Sequence, residues 1–174
     1  MPPWWLLGIG FTHVQILSQY AGSGLFHGMA GLPVSTDVAW FVGMGANILV
    51  LLACGAVFRG PRLDRLKRLL APSIILNIVG FLLSVWPTGV TANDDPVALL
   101  GAIALGMGQA IMFLLWADVF NRAKIEEAEI ALPLSSLVVL AYAVVVPLLP
   151  ASLNGIPMLV APLASGATLY LSFQ

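Results

Sequence analysis

Arg59-Gly60-Pro61-Arg62-Leu63-Asp64-Arg65-Leu66-Lys67-Arg68 is the most strongly charged run in a chain of 174 residues. Five of the seven basic residues lie in it, and the other two, Arg122 and Lys124, lie together further on. Around these two clusters the sequence is almost free of charge. No Asp, Glu, Lys or Arg occurs in residues 1–36, 38–58, 69–93, 96–117 or 130–174. Charged residues make up 9% of the whole and apolar residues 60%, against about 25% and 45–50% in a soluble domain. A chain this short cannot bury so much hydrocarbon in a water-soluble core, because small domains leave much of their surface exposed. The composition excludes a soluble globular protein, a disordered tail and a nucleic-acid-binding domain.

The charge-free stretches measure out helices. A spanning helix takes about 20 apolar residues, and a charge at the bilayer centre costs roughly 2.5–3.5 kcal/mol on insertion scales. Residues 38–58, 69–93 and 96–117 each fit one helix. Residues 130–174 are broken by Pro147, Pro150, Asn154, Gly155 and Pro157 into two helices with a tight turn. Residues 1–36 hold one helix, then a loop through Gly28, Gly31 and Pro33. The expectation is an all-α, polytopic membrane protein, a single domain over 1–174 with no soluble part. Its six helices run over about 4–25, 38–58, 69–90, 97–119, 130–149 and 153–173.

Two helices separate the two basic clusters, so both clusters face one side, which the positive-inside rule makes the cytoplasm. The opposite loops carry Asp37, Asp94 and Asp95 and no Lys or Arg. Six spans then put both termini in the cytoplasm, with the bilayer as the chain's first partner. The N-terminal Met1-Pro-Pro-Trp-Trp lacks a basic n-region, so helix 1 is read as retained.

Polar residues within spans are the natural functional candidates, since each is costly against lipid. Helix 1 carries Thr12, His13, Gln15, Ser18 and Gln19. Thr12, Gln15 and Gln19 share one helical face. Asn47, Asn77 and Gln109 sit near the middle of helices 2, 3 and 4. Together these side chains are either the lining of a small-molecule pocket or interhelical hydrogen-bonding glue. Ala102, Gly106 and Ala110 in helix 4, and Ala39 and Gly43 in helix 2, have the four-residue spacing of close helix contacts. Asp118 and Arg122 are one turn apart and form an end-of-helix pair.

The absences narrow the function. No charged residue lies near mid-span, which speaks against ion-coupled pumping. There is no HExxH helix, no pair of intramembrane aspartates and no phosphate-binding GxxxxGK[ST] loop. One cysteine, Cys54, and two separated histidines offer no metal framework. Neither catalytic residues, nor a metal, nor a cofactor, nor a bound nucleic acid is expected.

Gly60, Asp64, Arg65 and Arg68 resemble the loop signature Gly-x-x-x-Asp-Arg-x-Gly-Arg-Arg of the major facilitator superfamily, with Lys67 in place of its second glycine and Leu69 in place of its last basic residue. That resemblance implies a cytoplasmic conformational latch and one six-helix half of a twelve-helix bundle. A second resemblance covers more of the chain. Gly106-Met-Gly-Gln-Ala-Ile-Met-Phe-Leu-Leu-Trp116-Ala-Asp118-Val-Phe120, Leu132-Pro-Leu-Ser135 and Pro162-Leu-Ala-Ser165 are similar to segments in the membrane part of actinobacterial LuxR-type regulators. It implies a sensory module in the cytoplasmic membrane of a bacterium, reading a small, largely apolar ligand between helices 1, 2 and 4. The sequence departs from that pattern in stopping just after helix 6, before any DNA-binding tail, and is read as a truncated product, a fragment of a longer chain or a six-helix variant. The rival expectations are a half-size facilitator-like transporter that pairs with a second six-helix half or with its own copy, and a subunit that only packs against a partner.

Overall fold

The computed structural model describes residues 4–16, 36–57, 67–84, 96–145, 148 and 155–173. Among the described residues the chain is helical throughout. A 3-10 turn, Trp4–Gly8, leads into α1 (residues 9–16), followed by α2 (Thr36–Val57), α3 (Leu70–Ser84), α4 (Pro96–Arg122), α5 (Ile125–Val145) and α6 (Ile156–Ser172). Prolines mark several of the starts. Pro72, Pro96 and Pro157 each fall in the first turn of their helix, where a missing N–H removes no intrahelical bond.

Two helices, α4 and α5, are long and apolar enough to cross a membrane, while α3, α6 and the 40–56 part of α2 are shorter apolar helices. α4 reaches about 40 Å at the usual rise per residue and is the central post. It packs against α2, α3 and α6, and α3 also packs against α6. The Trp4–Gly8 turn lies on α5 and α6. Half of the spanning window of α4 is buried, against 11% for α5, which stands at the rim.

Missing side chains let these helices meet. A methyl group added at Gly101 of α4 would stand 2.8 Å from the Gly80 carbonyl oxygen, and one at Gly80 2.8 Å from that of Gly101. A methyl group at Gly106 would run into the Gly43 carbonyl of α2. Gly43 of α2 therefore meets Ala102 and Gly106 of α4 backbone to backbone. Contacts pair Gly80 with Gly101 and Leu105, and Asn77 with Gly108, so α3 and α4 run antiparallel. Gly8 lies against Thr168 and Thr12 against Ser165, so α1 and α6 are antiparallel too. A core of Leu6, Ile9, Met112, Leu115, Trp116 and Leu169 fills the space between α1, α4 and α6.

The helix ends depart from the charge-based boundaries. α5 starts at Ile125, ahead of Glu126, Glu127 and Glu129, which a charge-based boundary leaves in a loop. The Lys124 carbonyl accepts the Glu127 and Ala128 N–H groups, both at 3.0 Å, and the Glu127 carboxylate approaches the Lys124 N–H at 3.4 Å. The Glu127 side chain thus supplies one half of a capping box, and acidic side chains suit the positive end of the helix dipole. Charge marks where an apolar phase has to end, and the helix runs on past it. Residues 17–25 of the expected first helix, and the turn between the last two helices apart from residue 148, lie outside the described residues.

Substitution at the α2–α4 contact separates packing from mere helix propensity. Gly106→Ala is expected to destabilise the folded chain by about 1–3 kcal/mol through overpacking. Gly45→Ala, two residues from Gly43 on another face of α2 and with nothing within 4 Å of the added methyl, is expected to be neutral or stabilising by up to about 1 kcal/mol. Thermal unfolding in detergent measures both, and equal effects would refute the contact.

Candidate functional site

The polar face of α1 meets α6 and α3. Thr12 Oγ1 and Ser165 Oγ are 2.8 Å apart, and the Trp116 indole Nε1–H of α4 donates to the same Ser165 oxygen at 2.9 Å. Indole nitrogen is a donor only, so Ser165 accepts from Trp116, and its second lone pair or its own hydrogen serves Thr12. One turn along, Gln15 Nε2 donates to Asn77 Oδ1 at 2.7 Å. Asn77 Nδ2 in turn donates to the Ser73 carbonyl at 2.8 Å, and the Ser73 hydroxyl to the Leu70 carbonyl at 2.7 Å. Thr12, Gln15, Asn77, Ser73 and Ser165 are each 1% exposed or less. The site is a sealed polar row in which the side chains answer one another.

Glycines give α1 its seat. Gly8 faces Thr168 and Trp116, and Gly10 would meet the Ser135 carbonyl of α5 at 2.6 Å if it carried a methyl group. Thr168 shares its hydroxyl hydrogen between the Ala164 and Ser165 carbonyls at 3.0 and 2.8 Å, and the same oxygen is the atom nearest Gly8. Gly108 serves Asn77 in the same way, since an added Cβ would stand 2.7 Å from Nδ2.

The remaining candidates are placed variously. Gln109 is buried on α4, next to Gly108. His13 is half-buried and points along its own helix, its Nδ1 donating to the Ile9 carbonyl at 3.0 Å and its ring edge-on to Phe113 at 5.8 Å. Asn47 is half-buried on α2, outside the polar row. The partners of Thr12 and Gln15 thus come from α6 and α3, where the expected ligand seat had been between helices 1, 2 and 4. Gln19, Gly60, Asp64 and Arg65 lie outside the described residues, and Arg68 is exposed in the turn before α3. Arg122 Nη2 donates to Asp118 Oδ1 at 3.1 Å, and Arg122 Nε stands 3.1 Å from Oδ2, off the hydrogen-bond direction. Among the described residues no three His, Cys, Asp or Glu side chains gather as a metal site.

Ser73, Trp116 and Ser165 complete the row without having stood out as polar candidates. Trp116 carried a usable sign: an indole deep in an apolar helix needs an acceptor for its N–H. Ser73 and Ser165 carried none, because a helical serine is equally content with its own backbone. No protein-family model matches this chain, and neither a curated protein nor a solved structure matches it.

Ser165 is the hub of the α1–α4–α6 bonds. Ser165→Ala leaves the Trp116 N–H without its acceptor and is expected to cost about 1–3 kcal/mol. Thr12→Val leaves the Trp116–Ser165 bond in place and is expected to cost less. Thermal unfolding in detergent ranks the two, and the reverse order would show that Ser165 is not the hub.

Proposed function

We propose that the chain is a six-span membrane domain and that it serves as the small-molecule-sensing membrane module of a facilitator-like, LuxR-linked regulator. The observation that carries the membrane reading is the inverted distribution of polarity. Phe41, Leu49, Leu52, Leu100 and Leu140 are 59–68% exposed on the outside of the bundle, while the amides of Gln15 and Asn77 are shut inside it. Water would penalise that arrangement, and hydrocarbon favours it, because lipid tails cost exposed Leu nothing and leave a polar group nowhere to go but inward. Lys67, Leu69, Phe120, Ala123 and Phe173 lie at one end of the bundle, which supports placing the basic clusters together in the cytoplasm.

The sensory reading rests on the three segments that resemble the regulators. Trp116, Ser135 and Ser165, one from each, surround α1 at Thr12, Gly10 and Gly8. A helix held by glycine contacts and a few exchangeable hydrogen bonds can be shifted by a small apolar molecule carrying one polar group. Such a ligand would take over the Gln15–Asn77 or Thr12–Ser165 bond between α1, α3 and α6. A ligand moves the domain only if it binds the shifted state better than the sealed one.

Two measurements test the proposal. In oriented vesicles, with Cys54→Ala as background, Arg62→Cys and Lys124→Cys are expected to be labelled from one side and Asp94→Cys from the other; labelling of all three from one side refutes six spans. In purified protein, at least one of indole, octanol and decanamide is expected to raise the unfolding temperature, an effect lost in Gln15→Leu. Flux of that compound through reconstituted vesicles would instead support the half-size transporter.

A further inference from the structure

Thr12 and Gln15 turn one side of α1 to α6 and α3. His13 stands on another side, about 160° round the helix from Gln15. Its Nδ1 lies 3.0 Å from the Ile9 carbonyl oxygen. A carbonyl only accepts, so Nδ1 carries the hydrogen, and in a neutral ring Nε2 is then the lone-pair acceptor. Among the described residues no donor reaches Nε2. Nor is that nitrogen sealed away, since the buried side-chain atom without a hydrogen-bond partner there is Asp118 Oδ2. The imidazole is half-buried, with the Phe113 ring of α4 edge-on at 5.8 Å. An open acceptor beside an aromatic ring in an apolar bundle calls for a donor, because leaving it unmatched costs free energy.

The walls around His13 come from α4 and α2. Ala102, Gly106, Gln109 and Phe113 follow one another along one face of α4, and the first two meet Gly43 of α2. Val50, two turns after Gly43, packs against the core that holds Ile9 and Ile111, so α2 runs parallel to α4. Asn47 lies between Gly43 and Val50 on that same face of α2 and is half-buried. Three helices thus place His13, Asn47 and Gln109 on faces that turn toward one another, with Phe113 and Val50 as apolar wall. No charged side chain is among them.

We propose that His13 is the anchoring acceptor of a ligand seat between α1, α2 and α4, and that the seat takes a small phenol. The aromatic body lies beside Phe113, and the one O–H donates to Nε2. A phenol meets both demands without bringing a charge that no side chain there would balance. The seat rests on the small-molecule reading given above, and it is separate from the polar row, whose side chains already answer one another.

Full-length chain in detergent is labelled at the histidine ring nitrogens, with His27→Gln leaving His13 as the one imidazole. It is titrated with para-propylphenol at about pH 8.5, above the ordinary imidazole range. The His13 Nε2 resonance is expected to move upfield, and para-propylanisole, the same body without the donor, is expected to leave it in place. His13→Phe is expected to weaken para-propylphenol binding roughly tenfold, the scale of one lost hydrogen bond. Gln15→Leu is expected to hold the affinity of the parent. An unmoved Nε2 resonance, or equal affinity in His13→Phe and the parent, overturns the seat. Affinity lost in Gln15→Leu and kept in His13→Phe places the phenol in the polar row, which overturns the seat and leaves the sensory reading standing. Failure of the phenol, indole, octanol and decanamide alike to bind overturns both. Should His13→Phe not fold, the resonance of the parent decides.

Discussion

Gly43 of α2 and Gly80 of α3 both rest on the main chain of α4, at Ala102 and Gly106 on one side and Gly101 and Leu105 on the other. Every other feature of the bundle depends on that closeness. Side chains between the helices would hold them apart, and Asn77 could not then stand against Gly108 and within reach of Gln15. Where apolar outer faces meet lipid, as proposed for this chain, burying more Leu gives little drive to association. Close van der Waals contact and interhelical hydrogen bonds supply it instead. The glycine contacts and the polar row are thus two parts of one design, the first setting the distance at which the second can form.

The polar row carries a functional consequence in its very completeness. Gln15, Asn77 and Ser73 form a relay of bonds along α3, while Thr12, Ser165 and Trp116 form a second group beside it. Both end on α1, which holds its place by these bonds and by Gly8 and Gly10. Under the proposed sensory reading, a ligand would reach this interior by exchanging one of those bonds for its own, and sensing and the loosening of α1 would be the same event.

Much of the site was legible in the residues. Thr12 and Gln15 share a face by spacing, Asn77 stands alone among apolar neighbours, and the Gly/Ala rows announce contact. The partners were not legible. A polar side chain in a helix has several ways to satisfy itself, and His13 shows one of them by bonding the Ile9 carbonyl of its own helix. Asn47 looks the same in sequence as Asn77, yet it lies half-buried on α2 while Asn77 is sealed inside. The helix ends were misread where acidic residues cap α5, because the rule that keeps charge out of hydrocarbon says nothing against charge in a helix.

What the sequence by itself determined was the helical, apolar character of the chain, the places where its charges fall and the small-residue rows along α2 and α4. Each follows from local composition and from a periodicity of a few residues. Only the tertiary structure decided that Ser165 serves both Thr12 and Trp116, that Gln15 finds Asn77, and that Lys67 reaches Phe173. Those pairs are separated by between 49 and 153 positions in the chain. Which of them meet depends on the crossing of helices over glycine, a geometry that no local pattern encodes.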